Sequence, residues 1–275
     1  MKDKMVQVAL CYDFDGTLSP KAMQEYGFMR ATGQEANKFW TTSNTMAKDQ
    51  KADNISAYMR LMLQECARKK IIPTRQTFHR FAKGIELFQG VVSWFGRINR
   101  YGLKKGILIK HYIISSGLKE ILEGTEIAKN FTQIFASSFM YDESGVAVWP
   151  AIVLNYTSKT QFIFRINKGC EDISDNVSIN NFVKKSDRPI PFEHMIYFGD
   201  GETDIPCMKM IKVNGGHSVA VFKPHQKDTA QKLIHDDRVN IAVPADYRKN
   251  SMAEKYVCAV IDKIAADINL QKMEK

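Results

Sequence analysis

Two aspartates stand two residues apart in Asp13-Phe14-Asp15-Gly16-Thr17, directly after a short apolar stretch. Carboxylates at i and i+2 reach one pocket only where the chain leaves extended geometry, and Gly16 permits that turn. One can attack as a nucleophile while the other, kept protonated, serves as general acid. The run Gly199-Asp200-Gly201-Glu202-Thr203-Asp204 puts carboxylates at i and i+4 across a glycine turn, an oxygen-donor pair suited to Mg2+. Ser115, closing Tyr112-Ile113-Ile114-Ser115, offers a phosphate a hydroxyl followed by the N–H groups of a helix start. Lys159, ahead of an expected helix, supplies a cation. Taken singly, these features also read as an Asx-rich turn, a helix cap, an N-cap serine and a solvated lysine.

Something must hold these groups, and the pattern along the chain says what. Met5 to Tyr12 reads as a buried strand. From about residue 20 to 88 the spacing is helical. Ile55, Tyr58, Met59, Met62, Leu63 and Cys66 recur behind the N-cap candidates Asp53 and Asn54. Pro73 is expected to stop that helix, and Thr74 to cap another that runs to Gly84. Beyond Gly90, helices and strands alternate. Helix is expected over 91–101, ending at Gly102, and over 118–129; strand is expected over 107–114, 134–139, 194–198 and 218–222. Asp142 to Gly145 reads as a hairpin turn, and Glu171 to Pro191 as a surface excursion. Ser251 and Glu254 form a capping box ahead of a last amphipathic helix. Such alternation argues for a parallel α/β sheet covered on both faces, with ligands at the carboxyl ends of its strands. Asp13, Ser115 and Asp200 all fall at such ends.

Composition narrows the classes. The 275 residues are 44% hydrophobic and 25% charged, which excludes disordered and collagen-like chains. The apolar uncharged run Gly145 to Ser158 is too short for a bilayer and holds Pro150, so no membrane role is expected. The opening residues lack the apolar core of a secretory signal, so a cytoplasmic location is expected. The five cysteines form no closely spaced pair and read as reduced, buried thiols. Lys plus Arg total 39 against 30 Asp plus Glu, a net +9. The positives recur throughout the chain, with only small clusters such as Arg68-Lys69-Lys70, so nucleic acid is not the expected partner.

Taken in order, the strand-terminal DxDGT, the strand-terminal Ser, the Lys and the GDGxTD run resemble the haloacid dehalogenase superfamily. The nearest pattern is the phosphoserine-phosphatase-like branch, where a helical cap enters between the first two motifs. The resemblance implies a Rossmann-like α/β core of three layers (α/β/α) with an inserted α-helical cap. It divides the chain into a core of residues 1–19 and 89–275 and a cap of residues 20–88. It implies Asp13 as nucleophile and Asp15 as general acid and then base. Gly16, Ser115, Ser116 and Gly117 would bind phosphate, and Lys159 would neutralise it. Asp13, Asp200, Asp204 and the carbonyl of Asp15 would hold Mg2+. Thr203 departs from the Asn common in that branch. Asp15 separates phosphatases from dehalogenases, because a halide leaves without a proton and an alcohol does not.

The expected substrate is a small phosphorylated metabolite, with Glu25, Arg30, Trp40, Tyr58 and Arg60 as candidate readers of the leaving group. A phosphomutase would share every core motif. A nucleic-acid or phosphoprotein phosphatase and a non-enzymatic binding module are the remaining readings. The excess charge would steer anionic esters toward the cleft.

Overall fold

The computed structural model describes residues 5–274. Strand β1 (Val6–Tyr12) is buried from Val8 onward, and its side chains alternate between two cores. Val8, Leu10 and Tyr12 face one; Ala9 and Cys11 face the other. That placement puts β1 near the middle of a seven-stranded sheet, beside β2 (Ile107–Leu118) and β5 (Met195–Gly199), both parallel to it. The sheet extends through β3 (Gln133–Tyr141) and β4 (Ala147–Ile152) on one side, and β6 (His217–Phe222) and β7 (Ile241–Pro244) on the other. Only β3 and β4 run antiparallel, across the turn at Asp142, whose carboxylate accepts the N–H groups of Ser144 and Val146.

Helices cover both faces. The first core takes in α5 (Val91–Lys104), α6 (Lys119–Glu123) and α10 (Met252–Met273). The second takes in α7 (Thr160–Lys168), α8 (Ile205–Val213) and α9 (Lys227–His235). The four helices between β1 and α5 are α1 (Gly27–Thr32), α2 (Ala36–Gln50), α3 (Asn54–Arg68) and α4 (Arg75–Phe81). Their buried Phe28, Phe39, Met59, Met62 and Phe78 continue the first core. The fold is therefore the three-layer α/β/α arrangement expected, with a helical insertion. No helix among the described residues is long and apolar enough to cross a membrane.

Several boundaries differ from the sequence expectation. Gly102 lies inside α5; a Cβ there would sit 2.5 Å from Ile109 Cγ1, so the glycine permits helix–strand contact and does not end the helix. Strand β2 continues past Ile114 to Leu118. Ser115 pairs with Ala136 and Leu118 with Ser137, so Ser116 and Gly117 form a bulge. The helix expected over 118–129 shrinks to α6, because Gly124 packs on the α4 backbone, where a Cβ would meet the His79 carbonyl oxygen at 2.3 Å. Helix α3 ends five residues before Pro73, where Lys70 adopts φ 55°. Thr74 does cap α4, which ends at Phe81 and stops short of Gly84. The Ser251 hydroxyl accepts the Glu254 N–H, while Glu254 itself binds Arg97.

Beneath the β1 end, Trp94 Nε1 donates to the Tyr12 hydroxyl, which lies 3.0 Å from His111 Nδ1; His111 Nε2 meets Asn99. Burial lowers the His111 pKa to about 3. The unfolded chain accepts a proton near pH 6.5 that the folded chain refuses, so this stabilisation is complete above that pH and is lost as pH falls from there toward 3. Between pH 7 and pH 5 the loss from His111 alone is about 2 kcal/mol. Urea denaturation at both pH values should show that His111→Gln flattens the decline; an unchanged pH dependence in the variant would contradict it.

Candidate active site

Asp13 follows β1 at the carboxyl edge of the sheet, where its N–H donates to the Phe198 carbonyl at 2.9 Å. The chain then turns at Gly16 (φ 81°), and three successive N–H groups, Thr17 to Ser19, gather on the Phe14 carbonyl. A Cβ on Gly16 would lie 2.0 Å from Asp200 Oδ2, so only glycine lets the two loops approach. Gly199 serves the same end, since a Cβ there would lie 2.5 Å from the Asp204 Cβ. Asp13, Asp200 and Asp204 each bring a carboxylate oxygen within 4.8 Å of the others.

Lys159 enters from the turn that opens α7 and is 1% exposed. Its Nζ donates to Asp13 Oδ1 and to Asp204 Oδ1, both at 2.9 Å. The Tyr197 hydroxyl adds a 2.7 Å bond to that same Asp204 oxygen. Asp204 Oδ2 is buried without a partner.

The charges are unbalanced. Burial, then the neighbouring Asp204, push the Asp13 carboxyl up to about 6 against the pull of Lys159. Burial with Asp13 and Asp204 raises Asp200 to about 8. Asp15 is raised well above the usual carboxylate range by burial and then by Asp13. Burial opposes the Lys159 charge, but Asp13 and Asp204 outweigh it and hold the ammonium protonated.

Asp15 is held apart from the acidic triad: its Oδ1 accepts the Met23 N–H at 2.9 Å. Met23 also reaches the Ser115–Leu118 bulge, its sulfur 3.2 Å from the Leu118 nitrogen. Ser115 Oγ accepts the Gly117 N–H at 3.0 Å. The Ser116 carbonyl accepts the Tyr58 hydroxyl at 2.7 Å, and Ser116 Oγ is buried without a partner. The helical insertion thus contacts both the Asp15 loop and the Ser115 bulge. It is tied down further by Asn155 on Asp53 and by Lys223 on the Pro20 carbonyl.

Of the other candidates, Trp40 donates to Glu25 at 2.9 Å, while Arg60 is exposed and bonded to Gln50. Arg30 is exposed, against Gly84. Neither arginine is brought to the carboxylates. Sequence reading missed Met23, Tyr197, Lys223 and Tyr247, whose hydroxyl braces the Thr17 carbonyl at 2.8 Å. Only Tyr197 carried a local signal, as a tyrosine in an otherwise apolar strand three residues before Asp200.

An oxygen-only donor set fits a hard cation. The orphaned Asp204 Oδ2 and the like-charge crowding that raises Asp200 are what a divalent cation would relieve, so the residues present fit Mg2+.

Residues 10–209 match the family of haloacid dehalogenase-like hydrolases, and the chain belongs to it. It is an enzyme of the hydrolase class. A Borreliella burgdorferi protein described as uncharacterized is 26% identical, covering 94% of this chain and 97% of that one. Among solved structures, a substrate-bound phosphoserine phosphatase superposes with a TM-score of 0.56 at 16% identity, over 92% of this chain and 99% of that one. A probable phosphoserine phosphatase from Vibrio cholerae gives a TM-score of 0.57 at 12% identity, over 96% of this chain and 67% of that one. A hydrolase of the same family from Salmonella enterica serovar Typhi gives 0.56 at 16% identity, over 86% of this chain and 66% of that one. These likenesses establish a shared fold.

Removing one partner of a buried ion pair strands the other charge, at a cost of roughly 3–5 kcal/mol. Lys159→Met is therefore expected to destabilise the chain by about 3 kcal/mol at pH 8. The loss should be smaller at pH 5.5, where the Asp13 carboxyl, left without its ammonium, takes up a proton. Chemical denaturation at the two pH values checks this, and equal losses would contradict it.

Proposed function

We propose that the chain is a Mg2+-dependent phosphatase of small phosphorylated metabolites that works through an aspartyl phosphate. The observation that carries this reading is the division of labour between two neighbouring aspartates. Asp13 is paired with a buried ammonium, and Asp15 is held separately by the Met23 N–H with its pKa raised. An Asp13 oxygen attacks phosphorus, and the bond to the leaving alcohol breaks. Asp15, protonated because its site is desolvated, gives its proton to the departing oxygen. It then takes a proton from the water that cleaves the aspartyl phosphate, which releases inorganic phosphate and restores Asp13.

Lys159 offsets the repulsion between Asp13 and an anionic ester, an arrangement of positioning and charge neutralisation that suits phosphoryl transfer. Ser115, with the Ser116 and Gly117 N–H groups, would hold the phosphate oxygens, and the Gly16 turn would let them approach. Asp13, Asp200, Asp204 and the Asp15 carbonyl would hold the metal. When bound, Mg2+ supplies positive charge to the phosphoryl oxygens. Residues 20–88 would act as a cap over a core of residues 1–19 and 89–275, supported by the Tyr58, Asp53 and Pro20 contacts that span the two. The five unpaired thiols support a cytoplasmic setting.

Phosphate release from a panel of phosphate esters tests the reading. Asp13→Asn should cut turnover at least about a thousandfold while the chain still folds, as expected when a covalent nucleophile is removed. Chelation of divalent cations should abolish turnover, and Mg2+ should restore it. Undiminished turnover in either case would overturn the proposal.

A further inference from the structure

We propose that the leaving group is an uncharged, hydroxyl-bearing alcohol, as in a sugar or polyol monophosphate, and that Gln24, Tyr58 and Ser116 read it. This rests on the phosphatase reading. In that reading the leaving oxygen lies against Asp15, so the insertion's side chains around Asp15 face the rest of the leaving group. Gln24 follows Met23, whose N–H holds Asp15. The Tyr58 hydroxyl stands close to Asp15, Gln24, Ser137 and Glu120, and donates to the Ser116 carbonyl.

Two features of this cluster point to a ligand. Gln24 is 1% exposed, yet its Oε1 has no hydrogen-bond partner. Ser116 Oγ is likewise buried and unpartnered. Buried polar atoms are normally satisfied, and unmet ones beside a reaction centre suit a ligand's hydroxyl groups. An amide, a phenol and a serine hydroxyl offer directional bonds without charge.

The charges buried around the cluster disfavour an anionic leaving group. Every lysine and arginine between residues 20 and 88 is exposed. Arg75, which does reach inward, is committed to Glu120 and Glu123 and lies over the Tyr141 ring. Glu120 is fully buried, with one oxygen unpartnered. Lys159 is engaged by Asp13 and Asp204, and Lys223 by the Pro20 carbonyl. A carboxylate or second phosphate on the leaving group would thus sit between Asp15 and Glu120 with no buried, uncommitted cation beside it among the described residues. Selection against such esters follows from the missing partner as much as from the hydroxyl contacts. The shared fold with phosphoserine phosphatases therefore does not extend to an amino-acid pocket.

The test is kcat/KM with Mg2+ for glycerol phosphate, pentose and hexose monophosphates, phosphoserine, phosphoethanolamine, a sugar bisphosphate and p-nitrophenyl phosphate. The proposal expects at least one neutral ester to exceed phosphoserine, phosphoethanolamine and the bisphosphate tenfold or more. Gln24→Leu, checked for folding by its melting temperature, should reduce the ratio of that ester to p-nitrophenyl phosphate at least fivefold. Turnover of p-nitrophenyl phosphate combined with a preference for any charged leaving group overturns the leaving-group assignment alone. No turnover of any ester overturns the phosphatase reading and the assignment with it. The wild-type panel decides the matter even if the variant fails to fold.

Discussion

A single ammonium buried among carboxylates organises this molecule. Lys159 bonds to both Asp13 and Asp204 at 2.9 Å, and the three groups come from segments far apart in the chain. In a desolvated site such a triad is stable only with near-ideal geometry, so each segment must arrive in register. The parallel sheet provides that register, because β1 and β5 pair side by side and end together. Gly16 and Gly199 remove the side-chain bulk that would hold the aspartates apart. The Lys159 charge leaves the acids under-compensated, which is why the Asp200 carboxyl is pushed to about 8 and why a cation suits the site.

The helical insertion completes the arrangement. Its first residues hold Asp15 through the Met23 N–H, and Tyr58 reaches the Ser116 carbonyl in the β2 bulge. Tyr247, arriving from beyond β7, braces the same loop from behind through Thr17. The second carboxylate is thus set by tertiary contacts, while the first is set by the sheet. Under the proposed mechanism this separation lets Asp13 stay an anion beside an ammonium while Asp15 keeps its proton.

Much of this was legible in the sequence because Asp13 and Asp200 sit at strand ends and Ser115 where the regular pairing of β2 gives way to its bulge, places where local patterning and function coincide. Asp13, Ser115 and Asp200 follow apolar runs, and the alternation of helix and strand fixes the layer order. The Asp53 and Thr74 caps were legible for the same local reason. Glycines misled where their role is tertiary. Gly102 reads as a helix stop but serves contact with Ile109, and Gly117 reads as a strand break but belongs to a bulge inside β2. Strand β7 has four residues, too few for a periodic signal. Met23 and Tyr247 act through distant contacts that no local spacing records. Arg30 and Arg60 show the converse: charged residues of the helical insertion, solvated in the fold.

Asp13 as the phosphoryl acceptor is the centre of the proposed mechanism. Its most direct test is acid quench of the protein during turnover of p-nitrophenyl phosphate, followed by peptide mapping of phosphoryl mass. An Asp15→Asn variant, which under the proposed mechanism could not activate the hydrolytic water, would accumulate the intermediate. One acid-stable, base-labile phosphoryl group is expected on the peptide that contains Asp13. Phosphoryl mass on another residue, or none while the burst of nitrophenol proceeds, would contradict it.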